Sequence, residues 1–134
     1  GVKAYGAQWT LGELWRDLYQ QRVYMKQWMD NCRTYGKQLI AYEAGQHLAV
    51  STAQQSDGPL WQAFIDANRH PGMYDIYKAF LQTWYEETDN SLMVLFNSCQ
   101  HYDQYGTWGL MEYDNQSDAP KYRAVMDHLS YYRP

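Results

Sequence analysis

"LIAYEAGQHL", residues Leu39–Leu48, runs four apolar residues into a carboxylate, a small-residue turn, an amide and an imidazole. Leu39, Ile40, Ala41 and Tyr42 do not alternate with polar residues, and such a run suits a strand covered on both faces, as in a parallel sheet. Glu43 then leaves the strand and Gly45 supplies a turn. The acid at the strand end is what the rest of the chain has to explain.

Upstream, "TLGELWRDLYQQRVYMKQWMDNCRTYG" predicts a helix over 10–35. Thr10 and Glu13 have capping-box spacing. Leu11, Leu14, Trp15, Leu18, Met25, Trp28, Met29 and Cys32 recur at three and four, and Gly36 stands where a left-handed cap is wanted. The strand itself is expected over 38–43. Downstream, a stretch without strand signals holds a short helix over 59–68, with Ser56 or Asp57 as caps. A second helix over 72–87 carries Met73, Ile76, Tyr77, Phe80, Leu81 and Trp84 on one stripe. "SLMVLFN", 91–97, reads as another buried strand. An aromatic and Gly-rich loop leads to a closing helix over 120–132, with Asp118 as its cap and Tyr122, Val125, Met126 and Leu129 facing inward.

This order amounts to about two and a half βα units. The strand-to-helix connections are long and the helix-to-strand connections short, the asymmetry of a (β/α) barrel whose function sits on the loops after the strands. The expected fold class is therefore α/β: the C-terminal βα units of a (β/α)8 TIM barrel, incomplete in this chain, with residues 1–134 forming a single partial barrel domain. Glu43 and Asn97 are then expected at the functional rim, on neighbouring parallel strands. A whole barrel needs roughly 200 to 250 residues, so the remaining barrel strands are expected from a parent chain or another subunit.

Composition narrows the function classes. At 134 residues and 46% hydrophobic content the chain can bury a core. Lys+Arg 11 against Asp+Glu 15 gives a net charge of -4, without a basic run, so nucleic acid is excluded as an expected partner. Neither a membrane span nor a signal peptide is visible, and the chain is expected to be soluble, with any targeting signal removed or lying outside it. Two cysteines, Cys32 and Cys99, and four scattered histidines, His47, His70, His101 and His128, offer no metal-ligand spacing, so neither metal nor cofactor is expected. The two cysteines are expected to be unbonded. The 14 Tyr and 6 Trp, against 3 Phe, suit surfaces that are half apolar and half wet, sugar-binding clefts among them; gap-filling between helices and sheet explains most of them.

On "LIAYEAGQHL", "ANRHPGMYDIYKAFLQTW", "LMVLFN" and "YGTWGLMEYDNQSDAPKYRAVMDHL", the chain resembles the C-terminal portion of a family of secreted bacterial glycoside-hydrolase-like TIM-barrel proteins, uncharacterised and in some cases described as cellulose-binding. The resemblance runs from about Gly36 to Leu129, and Ala44 replaces the family's usual glycine. It implies an extracellular or periplasmic location and a carbohydrate partner, polysaccharide or oligosaccharide. By the same resemblance Glu43 matches the nucleophile of retaining glycosidases and Trp108 an aromatic platform for the sugar. The acid/base carboxylate of that clan has no counterpart here.

Retaining hydrolysis needs two carboxyl groups about 5 Å apart, which leaves a structural role for Glu43 as the alternative. Gln46, His47 and Asn97 are candidates for substrate hydroxyls, with loop ordering as the competing role for Gln46 and His47. Glu112 is the other nearby acid, a stand-in proton donor or a structural carboxylate. Arg69 is expected to tie a loop to a carboxylate, and Asn115-Gln116-Ser117 is a glycosylation sequon. The functional expectation is part of a protein that hydrolyses or binds polysaccharide, the isolated chain being inactive. The alternatives are a non-catalytic carbohydrate-binding or structural module, or a fragment functional only in an assembly.

Overall fold

The long amphipathic pattern before Gly36 folds as α1, Ala7–Thr34, beginning earlier than its capping-box spacing indicates. Gly6 is the N-cap, and Thr10 lies inside the helix, where its hydroxyl donates to the Gly6 carbonyl at 3.1 Å. The helix ends in a Schellman arrangement. Gly36 takes a φ of 60°, its N–H donates to Arg33 O at 3.1 Å, and Lys37 N–H donates to Cys32 O at 2.8 Å. The computed structural model describes residues 6–132.

Next come β1, Ala41–Ala44, a 3₁₀ turn at Thr52–Gln54, α2, Gly58–Arg69, and α3, Gly72–Glu87. Asp57 caps α2, its carboxylate accepting from Leu60 N at 3.2 Å. After α3 the chain reverses through Asp89 and Asn90, both left-handed with φ of 53° and 56°, a conformation these short polar side chains tolerate. Trp84 Nε1 donates to Ser91 O at 2.6 Å and fixes that reversal. β2, Met93–Leu95, and a closing α4, Pro120–Tyr131, complete the order. Ala119, not Asp118, is the α4 N-cap, without a side-chain hydrogen bond.

α3 is the central helix, packed against α1 on one side and α4 on the other, while α2 packs against α1. Leu11, Leu48, Ala67, Met73, Ile76, Tyr77, Leu110 and Ala124 form the core between them. Burying such a face is what makes helices of this length stable, since isolated ones are marginal.

The sheet overturns the barrel expectation. Among the described residues there are four α-helices and one two-stranded parallel sheet, open at both edges. The fold is predominantly α-helical and is not a set of βα units of a (β/α)8 barrel. Closing a barrel needs strands hydrogen-bonded on both edges all round, and here β1 pairs with β2 and neither meets a third described strand. The expectation of strands covered on both faces fails with it. Along 92–97 exposed and half-buried residues alternate strictly, Leu92, Val94 and Phe96 pointing out and Met93, Leu95 and Asn97 in. Ile40 and Tyr42 extend the outward row. The helices cover one face of the sheet and leave the other to water.

Candidate functional site

The opening acid is aimed by an irregularity in the strand. Ala41 stands opposite Met93 and Ala44 opposite Leu95, so β1 uses one more residue than β2 over the same span. That is a β-bulge, a device that bends a strand and redirects a side chain. Ordinary alternation would put Tyr42 on one face and Glu43 on the other; with the bulge, both are exposed. Ala44 O then accepts from Phe96 N at 2.9 Å, which fixes the C-terminal ends of the strands side by side.

Those ends form an open cup of about 380 Å³ lined by Tyr42, Glu43, Gln46, His47, Phe96 and Trp108 with the turn backbone. Glu43 makes no hydrogen bond or ion pair with any described residue. Phe96 meets Trp108 at 5.8 Å between ring centroids, nearly perpendicular at 88°, and His47 approaches the same indole edge-on at 6.0 Å. Trp108 is held from behind by Gly106, whose φ of 157° suits glycine and where a Cβ would overlap the indole ring.

Beneath the cup stands a buried polar pillar. Gln46 Nε2 donates to Thr107 O at 2.7 Å and to Asn68 Oδ1 at 3.2 Å, and its Oε1 accepts from Leu48 N at 2.5 Å. Asn68, on α2, donates to Phe64 O at 2.8 Å and to Thr107 Oγ1 at 2.9 Å, and Thr107 Oγ1 donates to Leu48 O at 3.0 Å. Lys121, on α4, is fully buried, donates to Thr107 O at 2.7 Å and lies over the Tyr102 ring at 4.7 Å. Burial pushes its ammonium well below the usual lysine range, with the Glu112 charge acting weakly the other way. Tyr77 donates no proton here: its hydroxyl oxygen accepts from Gln46 N at 3.3 Å, and burial pushes the phenol up to about 12.

Of the residues singled out from sequence, Glu43, Gln46, His47 and Trp108 meet around the cup. Asn97 and Glu112 do not. Asn97 orders the following loop, donating to Gln100 Oε1 at 3.2 Å and accepting from Cys99 N at 3.2 Å. Glu112 is buried against Arg69, whose Nε donates to Oε2 at 2.8 Å and whose Nη2 meets Oε1. This carboxylate draws the Arg69 guanidinium upward in pKa, chiefly by hydrogen bonding. Arg69 thus ties its loop to a carboxylate, and Cys32 and Cys99 are both free. The sequence reading missed Tyr42 and Phe96 as cup residues, and Asn68, Thr107 and Lys121 as its support. An asparagine on the inward stripe of α2 was the available signal for the last group, since a buried amide requires partners.

The chain matches no family model, no curated protein and no solved structure. The resemblance to a TIM-barrel glycoside hydrolase is therefore not upheld, and the chemistry expected of it falls with the open helical fold. Glu43 has no strand-end nucleophile geometry. The one acid considered as its proton donor, Glu112, is engaged by Arg69 and hidden from solvent, and without a donor a carboxylate nucleophile has no leaving group to displace. Trp108 is a packed wall of the cup, backed by Gly106, and not an open sugar platform. The carbohydrate partner and the completing barrel strands lose their basis with the same finding. Among the described residues no cluster of His, Cys, Asp or Glu could hold a metal ion, and no helix is long and apolar enough to cross a membrane.

Proposed function

We propose that this chain is a docking module whose bare sheet face receives an apolar segment of another protein. One observation carries the reading. Ile40, Tyr42, Leu92, Val94 and Phe96 lie on one face of a two-stranded sheet and are all at least 49% exposed, yet the runs they belong to have the composition of strands covered on both sides. Large contiguous apolar patches on folded proteins mark interaction surfaces.

The area supports the same reading. The chain exposes 8505 Å² for a mass of 15.9 kDa, against about 7,400 Å² for a folded monomer of that mass. The surplus is comparable to the ~800 Å² that each partner buries in a standard interface. A second copy is the weaker occupant. Neither 39–44 nor 92–97 carries a basic side chain, so face-to-face packing of two copies would desolvate each Glu43 with no cation opposite, and an uncompensated buried charge is costly.

Panning a random peptide display library on the protein, with counter-selection on Val94→Glu, tests this. Enriched peptides should carry apolar residues and should lose at least tenfold in affinity for Val94→Glu while near-ultraviolet circular dichroism stays unchanged. Peptides that bind both forms equally would refute the docking face. Sedimentation equilibrium showing a dimer that Val94→Glu dissolves would also refute it, because the occupant would then be a second copy.

A further inference from the structure

Resting on that docking reading, we propose that the cup at the end of the sheet face takes an arginine side chain of the docked segment. The argument begins with Glu43. It is carried into the cup by a bulge, lies beside three aromatic rings, and has no described partner. Acids at helix ends or in salt links elsewhere in the chain are answered: Glu86 and Glu87 by Arg22, Asp89 by Arg33, and Glu112 by Arg69. Glu43 is unanswered at the rim of an apolar face, where any covering segment will remove its water. A cation on that segment is the chemistry that makes such coverage favourable.

The surroundings select among cations. Tyr42 is 80% exposed and Phe96 49% exposed, so ring surface is available on both sides of the carboxylate. A planar guanidinium stacks on aromatic faces and donates two parallel hydrogen bonds to a carboxylate, whereas an ammonium is a compact, strongly hydrated point charge. Trp108 closes the back of the cup, fixed by Gly106, Phe96 and His47. Gln46 is already engaged by Thr107, Asn68 and Leu48. The cup therefore offers a single charged group, Glu43, surrounded by rings whose positions are set before anything binds, which limits the entropy lost on binding.

Titration of the full chain with N-acetyl-arginine amide, read by the ¹H–¹⁵N resonance of the Trp108 indole, tests the cup without requiring any docked segment. The expected result is a saturable shift with a millimolar dissociation constant, weakened by at least tenfold in Glu43→Gln, weakened by salt, and absent with the neutral isostere N-acetyl-citrulline amide. N-acetyl-lysine amide should bind several-fold more weakly than the arginine probe. Equal shifts with the arginine and citrulline probes, or an unchanged titration in Glu43→Gln with its fold intact, would overturn the proposal. Loss of peptide binding in Val94→Glu combined with no arginine response would leave the docking face standing and remove the arginine site. Arginine binding combined with peptides indifferent to Val94→Glu would remove the face and keep the site.

Discussion

Met73 and Leu92 are both long, flexible apolar side chains, and the fold treats them in opposite ways. Met73 begins α3 fully buried, among α1, α2 and α4, whereas Leu92 leads into β2 and is 60% exposed. The same contrast holds for their neighbourhoods. The helical side of the molecule satisfies its buried polar groups completely, no described buried side-chain nitrogen or oxygen lacking a partner. The open side of the sheet leaves a row of apolar residues and one carboxylate facing water. One region is finished by the chain itself, and the other is shaped for something outside it.

Substitutions that should separate the two regions differ widely in size. Met73→Ala should be the most damaging, by about 3 kcal/mol, because it opens a cavity where the surrounding helices cannot collapse; chemical denaturation reads it as a lower midpoint with an unchanged slope. If Met73→Ala and Leu92→Ala proved equally costly, the distinction between finished and unfinished faces would fail. Asn68→Ala should follow at about 2 kcal/mol, since Gln46 and Thr107 lose a buried partner. It should also disturb the cup, seen as a changed Trp108 environment in fluorescence.

Lys121 sharpens the comparison through pH. Burial depresses its pKa in the folded chain, so between that lowered value and the ordinary 10.5 the unfolded chain binds more protons and stability rises with pH. Below the lowered value both states hold the proton and the full penalty of the buried charge applies. Tyr77 works in the opposite sense: with its phenol raised to about 12, the folded chain keeps a proton that the unfolded chain loses above about 10, and stability then falls. Thermal midpoints should therefore climb from neutral pH towards about 9.5, at no more than about 1.4 kcal/mol per pH unit for one proton. Lys121→Met should flatten that climb. A wild-type midpoint that falls over the same interval would mean the ammonium is stabilised where it sits.

The smallest effect should come from the bare face. Leu92→Ser should alter stability by less than about 0.5 kcal/mol, as exposed positions do, while still weakening any docked peptide. A large loss of stability would show that the face is covered within the chain after all.

The helices were legible because each carries its own evidence. α1, α2 and α3 announce themselves through apolar residues at three and four, and Gly36 and Asp57 mark a stop and a start through backbone geometry that needs no distant partner. The Thr10 and Asp118 caps misled because capping residues also occur inside and just before helices, and nothing local decides which neighbour takes the role. At the site, Glu43, Gln46, His47 and Trp108 were found as chemistry at the ends of the strands. Asn97 and Glu112 shared that signature and were drawn elsewhere, Asn97 into its own loop and Glu112 to Arg69.

By itself, then, the sequence determined the helical segments, the two short apolar strands and the acid at the end of the first. It could do so because periodicity, capping and turn preference act over a few residues. Only the tertiary structure decided that the strands pair with each other alone, that one face of them stays bare, and that a bulge turns Glu43 outward beside Tyr42. An apolar run records that a strand prefers to be covered, but coverage is a property of what packs against it. The register that aims a side chain is fixed across two strands separated by more than forty residues of chain, a distance over which no local pattern carries information.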